Sequence, residues 1–266
     1  MIAQEYSPGY VLTDVGRLHY VTRGTGPVLV LLHQTPRSWD EFEPVLNQLD
    51  GYRLIAPDLL GHGNSAPTRE NTIEEHAAGV LGLLDALGVS RFHLVGHHFG
   101  GLVAYHVAAV AAERVESLVL SSTPYIDAPE RERRRQAEPF NVVPPSEDGS
   151  HLARLWQRRT DYLAGPDQGV LSRYMRDVLG HPDADRGHAA VAKYRSEDYV
   201  GSYAGPVLCI ASARDPRAFP VRHRIRTAFP HAREVVLADG DISAPERVPG
   251  EFAEAIRGLH AETVAA

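Results

Sequence analysis

The sequence predicts an α/β fold: a mostly parallel sheet flanked by helices and interrupted by a helical insertion. Three observations carry this expectation. Short apolar runs alternate with stretches of helical periodicity along most of the chain. Several of those runs are continuously apolar rather than alternating, the signature of strands covered on both faces. One long interval, between Thr123 and Gly205, holds helical stretches but no convincing strand.

Taken in order, Tyr10 to Val15 and Arg17 to Thr22 alternate about Gly16 and read as an opening hairpin. Val28 to Leu32 is an apolar run ending in a Pro-containing turn, hence a buried strand, and a helix is expected from Ser38 to Leu49. Further strands are expected at Arg53 to Ala56, Phe92 to Val95, Ser117 to Ser121, Val207 to Ala211 and Glu234 to Leu237. Helical periodicity separates most of them, notably at Ile73 to Leu87, Leu102 to Ala112 and Phe252 to Leu259. Such β-α alternation builds a parallel sheet with crossover helices. The strandless interval divides the chain into a core, 1–123 with 205–266, and a helical cap, 124–204. Within the cap, the run Arg131 to Arg135 reads as a solvated helix face rather than an anion site. The aromatics Trp156, Tyr162, Tyr174, Tyr194 and Tyr199 read as packing. Repeats and low-complexity tracts are absent from the sequence.

A chain of 266 residues suits one large domain with an insertion. Its 43% hydrophobic and 23% charged residues are ordinary for a globular protein, and no apolar run approaches membrane-spanning length. A formal charge of −7 argues against nucleic acid or anionic membrane as the main partner. The segment Met1 to Tyr10 lacks the basic start and apolar core of a signal peptide, so cytoplasmic residence is expected. The single cysteine, Cys209, sits in the apolar run Pro206 to Ala211 and reads as a small buried hydrophobe. The expected partner is a small molecule, and a homo-oligomer is compatible with the sequence.

Three stretches carry the chemistry. The first is Leu31-Leu32-His33-Gln34-Thr35-Pro36, the second Asp58-Leu59-Leu60-Gly61-His62-Gly63-Asn64-Ser65, the third Leu94-Val95-Gly96-His97-His98-Phe99-Gly100-Gly101. Together, in this order and spacing, they resemble the α/β-hydrolase superfamily, in the branch of capped esterases, epoxide hydrolases, dehalogenases and carbon-carbon bond hydrolases. The resemblance covers nearly the whole chain except the cap. It implies an α/β-hydrolase fold and a strained strand-turn-helix elbow in which Gly96 and Gly100 frame the central residue.

That central residue is His98, where the family usually has Ser and in other members Asp or Cys. His97 precedes it and is assigned a packing role. By the same resemblance Asp215, in Ser212-Ala213-Arg214-Asp215-Pro216, occupies the place of the family's acid. The family's catalytic histidine precedes a Pro and a helical Phe; Asp241-Ile242-Ser243-Ala244-Pro245-Glu246-Arg247-Val248-Pro249 with Phe252 puts Ile242 there.

A Ser or Asp nucleophile depends on a positioned histidine, and both are missing. His98 is better suited to general acid-base work, taking a proton from substrate. The backbone N–H groups of Thr35 and Phe99 would form the oxyanion hole. Gln34 replaces a usual Gly and offers a side-chain amide as an extra donor, and His33, Gln34 and Ile242 are expected around the substrate. With the Ile242 position between them, Asp215 is expected to lie too far from His98 for a direct hydrogen bond.

A retained oxyanion hole with a proton-transfer group suits reactions through an enolate (isomerisation, cyclisation, lyase cleavage, cofactor-free oxygenation) or noncovalent hydrolysis. The competing expectation is a catalytically inactive ligand-binding pseudohydrolase. Ser122 and Ser243 are the first candidates for a relocated nucleophile, and Arg158, Arg159 or Arg214 for meeting a substrate carboxylate. A metal site from His33, His98 and Asp215 lacks any metal-motif spacing, so no metal and no cofactor are expected.

Overall fold

The computed structural model describes residues 6–181 and 183–265; residues 1–5 of the N-terminal segment read above lie outside it. An eight-stranded sheet runs in the order β1-β2-β4-β3-β5-β6-β7-β8. The strands are β1 (Ser7–Thr13), β2 (Gly16–Arg23), β3 (Val28–Leu32), β4 (Arg53–Pro57), β5 (Phe92–His97), β6 (Val115–Ser121), β7 (Val207–Ser212) and β8 (Arg233–Leu237). The opening hairpin pairs antiparallel, Thr13 opposite Gly16, and β2 also meets β4 antiparallel. From β4 to β8 every pairing is parallel. The continuous apolar runs are the central strands: every residue of β5 and β7 is buried.

The helices are α1 (Glu43–Leu46), α2 (Ile73–Ala86), α3 (Phe99–Val110), α4 (Ala128–Arg135), α5 (Ser150–Thr160), α6 (Gln168–Gly180), α7 (Arg186–Val191), α8 (Ala244–Arg247) and α9 (Pro249–Ala265). One core layer packs α2 and α3 on one face of the sheet through Val80, Leu84, Leu102 and Val103. The other packs α1 and α9 on the opposite face through Leu46, Phe252 and Ile256. The interval between β6 and β7 holds α4 to α7 and a 3-10 turn, Ser196–Tyr199, with no strand among its described residues.

The single helix expected from Ser38 to Leu49 is instead a 3-10 turn, Trp39–Phe42, followed by the one-turn α1. The local reason is a set of competing bonds. The Trp39 N–H donates to Asp58 Oδ1 at 2.8 Å, the Ser38 hydroxyl donates to Asp40 at 3.0 Å, and Pro44 enters the first turn of α1.

The insertion is clamped to the core by ion pairs. Arg37, wholly buried, meets Asp177 of α6 at 2.8 Å, Asp40 at 3.1 Å and Glu246 of α8. Arg176 adds contacts of 2.8 Å to Asp40 and 2.7 Å to Asp177. Removing one member of such a buried set costs about 3–5 kcal/mol, because its partners are left charged and unpaired.

Candidate active site

The elbow follows from its neighbours. β5 ends at His97, α3 begins at Phe99, and His98 between them has φ 47° and ψ −108°, a conformation that costs an L-residue about 1–3 kcal/mol. A Cβ at Gly96 would strike the carbonyl of Gly100, and one at Gly100 would strike the backbone of Leu32 and His33. The tight crossing of β5, α3 and the turn after β3 therefore needs glycine at both places. The His98 N–H donates to Ser121 O at 2.9 Å, tying the elbow to the end of β6.

Asp215 reaches this elbow directly. His98 Nε2 lies 2.8 Å from Asp215 Oδ2, although the approach is too oblique for a well-formed hydrogen bond. Loose alignment of this kind is ordinary in sites without substrate. The expectation that the two were too far apart is thus corrected. Asp215 Oδ1 accepts the N–H groups of Arg217 and Ala218, each at 2.9 Å, which turns Oδ2 toward His98. Burial raises the carboxyl's pKa, but His98 and these two N–H groups outweigh it and hold Asp215 well below the usual carboxylate range.

Ile242 lines the same cavity without separating the two. Its side chain packs with Leu163, Val170 and Leu171 of the insertion. Its carbonyl accepts Gln34 Nε2 at 2.8 Å and His97 Nε2 at 3.1 Å. His97 is consequently more than packing. Its Nε2 must carry the proton, so Nδ1 accepts the Ser121 hydroxyl at 2.9 Å, and the wholly buried ring is a strut between β6 and the Ile242 loop. Burial, reinforced by the charge of neighbouring His98, pushes its pKa well below the ordinary value.

A cavity of about 370 Å³ opens above the elbow, lined by His98, Phe99, Gln34, Thr35, Ile242 and Arg159 among others. The N–H groups of Thr35 and Phe99 have no acceptor among the described residues, so both remain available to an oxyanion. Thr35 is held from two sides: its hydroxyl donates to His62 Nε2 at 3.0 Å, and Gly187 of α7 lies against it where a Cβ would collide.

The expected place of His33 beside the substrate and the expected spare donor of Gln34 are both corrected. His33 is wholly buried and off the cavity wall, because Nδ1 donates to Gln34 O at 2.8 Å and Nε2 accepts the Leu59 N–H at 2.9 Å. Gln34 does line the cavity but has no amide donor to spare, since Nε2 is shared between Glu41 and Ile242 O. Glu41 also takes the Gln34 N–H at 2.8 Å; burial pushes its carboxyl up to about 7 against the opposing pull of Arg37.

Ser122 lines the cavity with φ 47°, its hydroxyl 3.4 Å from Ser212 Oγ. Ser243 is buried and accepts Arg159. Arg158 instead donates to the carbonyls of Pro139, Phe140 and Val142, and Arg214 pairs with Asp239 at the surface. Among the described residues no group of three His, Cys, Asp or Glu side chains is placed to hold a metal ion, and no helix is long and apolar enough to cross a membrane.

Sequence reasoning passed over the selection of Arg159 from its neighbours. The signal was present: in α5, Leu155, Trp156 and Arg159 fall on one face, so a charge sits on an apolar stripe.

Residues 27–241 match the family model described as alpha/beta hydrolase fold. The bifunctional epoxide hydrolase 2 of Sus scrofa is 37% identical over 129 residues, 45% of this chain and 23% of that protein. Haloalkane dehalogenase 2 of Mycobacterium tuberculosis is 38% identical over 111 residues, 41% of this chain and 39% of that protein. The matched stretches therefore span less than two fifths of these curated relatives. Among solved structures, a thermophilic esterase from Thermogutta terrifontis superposes with a TM-score of 0.79 at 24% identity, covering 97% of this chain and 99% of that one. The enol-lactonase from Burkholderia xenovorans LB400 gives 0.74 at 23%, covering 95% and 100%. At these identities the likeness is one of fold.

Proposed function

Because this chain belongs to the alpha/beta hydrolase fold family, we propose that it is an enzyme of that family which works without a covalent Ser or Asp nucleophile, using His98 as general acid-base on a small, largely apolar carbonyl substrate. The observation that carries this reading is the 2.8 Å contact between His98 Nε2 and Asp215 Oδ2. An acid-oriented imidazole is two of the three members of a hydrolytic triad. Here the imidazole comes from the elbow rather than from the loop after β8, so the base stands where the nucleophile would.

Asp215 fixes the proton on Nε2 and leaves Nδ1 to exchange one with substrate. In the simplest reaction Nδ1 removes a proton from the carbon beside a carbonyl. The C–H electron pair becomes the enolate, and its oxygen takes the N–H groups of Thr35 and Phe99. Return of the proton at another atom is isomerisation; collapse of the enolate pair into a C=C bond, with a substituent leaving the β-carbon together with its own bonding pair, is lyase chemistry. Delivery of a water deprotonated by the same ring is noncovalent hydrolysis.

The test is hydrogen-deuterium exchange at the α-carbon of a panel of enolisable ketones and oxo acids in D2O, followed by NMR. Exchange by the wild type, its loss in His98→Ala, and no adduct with a fluorophosphonate probe support the proposal. A labelled serine would sink it, as would exchange that persists in His98→Ala. A silent wild type would favour a ligand-binding pseudohydrolase.

A further inference from the structure

Arg159 is 1% exposed, yet it has no carboxylate partner within ion-pair distance among the described residues. Its Nη2 donates to the Ser243 hydroxyl at 2.7 Å, its guanidinium carbon stands 4.9 Å over the Tyr174 ring, and its Nε has no acceptor. The contrast with neighbouring arginines is sharp. Arg37 is surrounded by three carboxylates, Arg131 has Glu197, and the cavity-lining Arg133, Arg134 and Arg224 have Glu130 or Asp127. A buried cation held by one neutral hydroxyl and one ring face is costly unless an anion completes it. Burial pushes its pKa down, the direction expected of an uncompensated guanidinium. Arg159 also forms part of the wall of the cavity that holds His98, Thr35 and Phe99.

We propose that Arg159, held in place by the Ser243 hydroxyl, is a receptor for a carboxylate on the substrate, so that the molecule taken by this site is an oxo acid: a carbonyl over the elbow and a carboxylate at the insertion. This rests on the reading of the cavity as the substrate site and extends it to a substrate class. The other arginines of the cavity wall differ from it: Arg133 and Arg134 share Glu130, Arg224 pairs with Asp127, and Arg217 lies over the rings of Phe140 and Tyr162. The planar fork of a guanidinium matches a carboxylate in two-point geometry. Ser243 is wholly buried and off the cavity wall, so its hydroxyl positions the guanidinium and is not presented to substrate.

The experiment measures equilibrium binding by calorimetry to the full chain, so it does not depend on turnover. The probes are 4-phenyl-2-oxobutanoate, its methyl ester and inorganic phosphate. A charge-assisted pair of this kind is worth about a 10- to 100-fold preference for acid over ester in the wild type. That preference should vanish in Arg159→Met and partly return in Arg159→Lys. His98→Ala should keep it, so failure of the acid-base reading leaves this result untouched and separates the two claims. Competition by phosphate alone at the same site would show a general anion site and overturn the oxo-acid assignment. Equal binding of acid and ester, an unchanged ratio in Arg159→Met, or no binding of the acid would overturn it too. If Arg159→Met does not fold, the wild-type ratio and the Arg159→Lys ratio decide.

Discussion

Asp215 Oδ2 rests 2.8 Å from His98 Nε2, so the acid carried after β7 serves the elbow residue itself. Asp215→Asn keeps an oxygen for the Arg217 and Ala218 N–H groups but loses the charge beside His98. On any carbonyl substrate the wild type turns over, kcat should fall by about 10²-fold or more, the usual worth of a positioned acid-base group, with KM changed far less. Wild-type kcat in this variant would detach Asp215 from the chemistry.

Rebuilding a serine triad should require two changes. His98→Ser alone supplies a hydroxyl with no base, because position 242 is an isoleucine packed with Leu163, Val170 and Leu171. Esterase activity toward p-nitrophenyl acetate should stay at background in that variant and rise only in His98→Ser with Ile242→His. The double variant gives up apolar packing worth about 1–2 kcal/mol, so its midpoint in urea should drop. Efficient hydrolysis by the single variant would reveal another base.

Acid should destabilise the fold through His76. Its ring stands edge-on to Phe99 at 4.9 Å, both nitrogens are buried without partners among the described residues, and burial, helped by the charges of His33 and Arg186, lowers its pKa to about 3. The unfolded chain takes up this proton near pH 6.5 and the folded one does not until about 3. Stability from the neutral ring is therefore complete above 6.5 and is lost as pH falls toward 3. Between pH 7 and 5 the loss is about 2 kcal/mol. Glu41, pushed up to about 7, acts with opposite sign in the same window, so the difference between wild type and His76→Leu is the quantity to measure. Urea unfolding at both pH values should show the variant gaining about 2 kcal/mol on the wild type at pH 5. An unchanged difference would refute the assignment.

The sheet was legible because its strands are continuous apolar runs bounded by turns, and the elbow because steric need places Gly96 and Gly100. The segment from 38 to 49 was misread, since its periodicity is helical while Asp58 draws the Trp39 N–H away from a helix. Gln34 was credited with a free donor because sequence does not reveal that Glu41 and the Ile242 carbonyl take it. The His98 contact with Asp215 was missed for a related reason. Ile242 does not separate the two, and its packing with Leu163, Val170 and Leu171 of the distant insertion is not visible in the sequence.

The central claim is that Asp215 fixes the proton of His98 on Nε2 and leaves Nδ1 to substrate. Long-range 15N–1H correlation spectra of the histidine rings, at a pH where His98 is neutral, report that tautomer without any substrate. An Nε2–H tautomer is expected for His98 in the wild type, with the preference weakened in Asp215→Asn. An Nδ1–H tautomer in the wild type would contradict it.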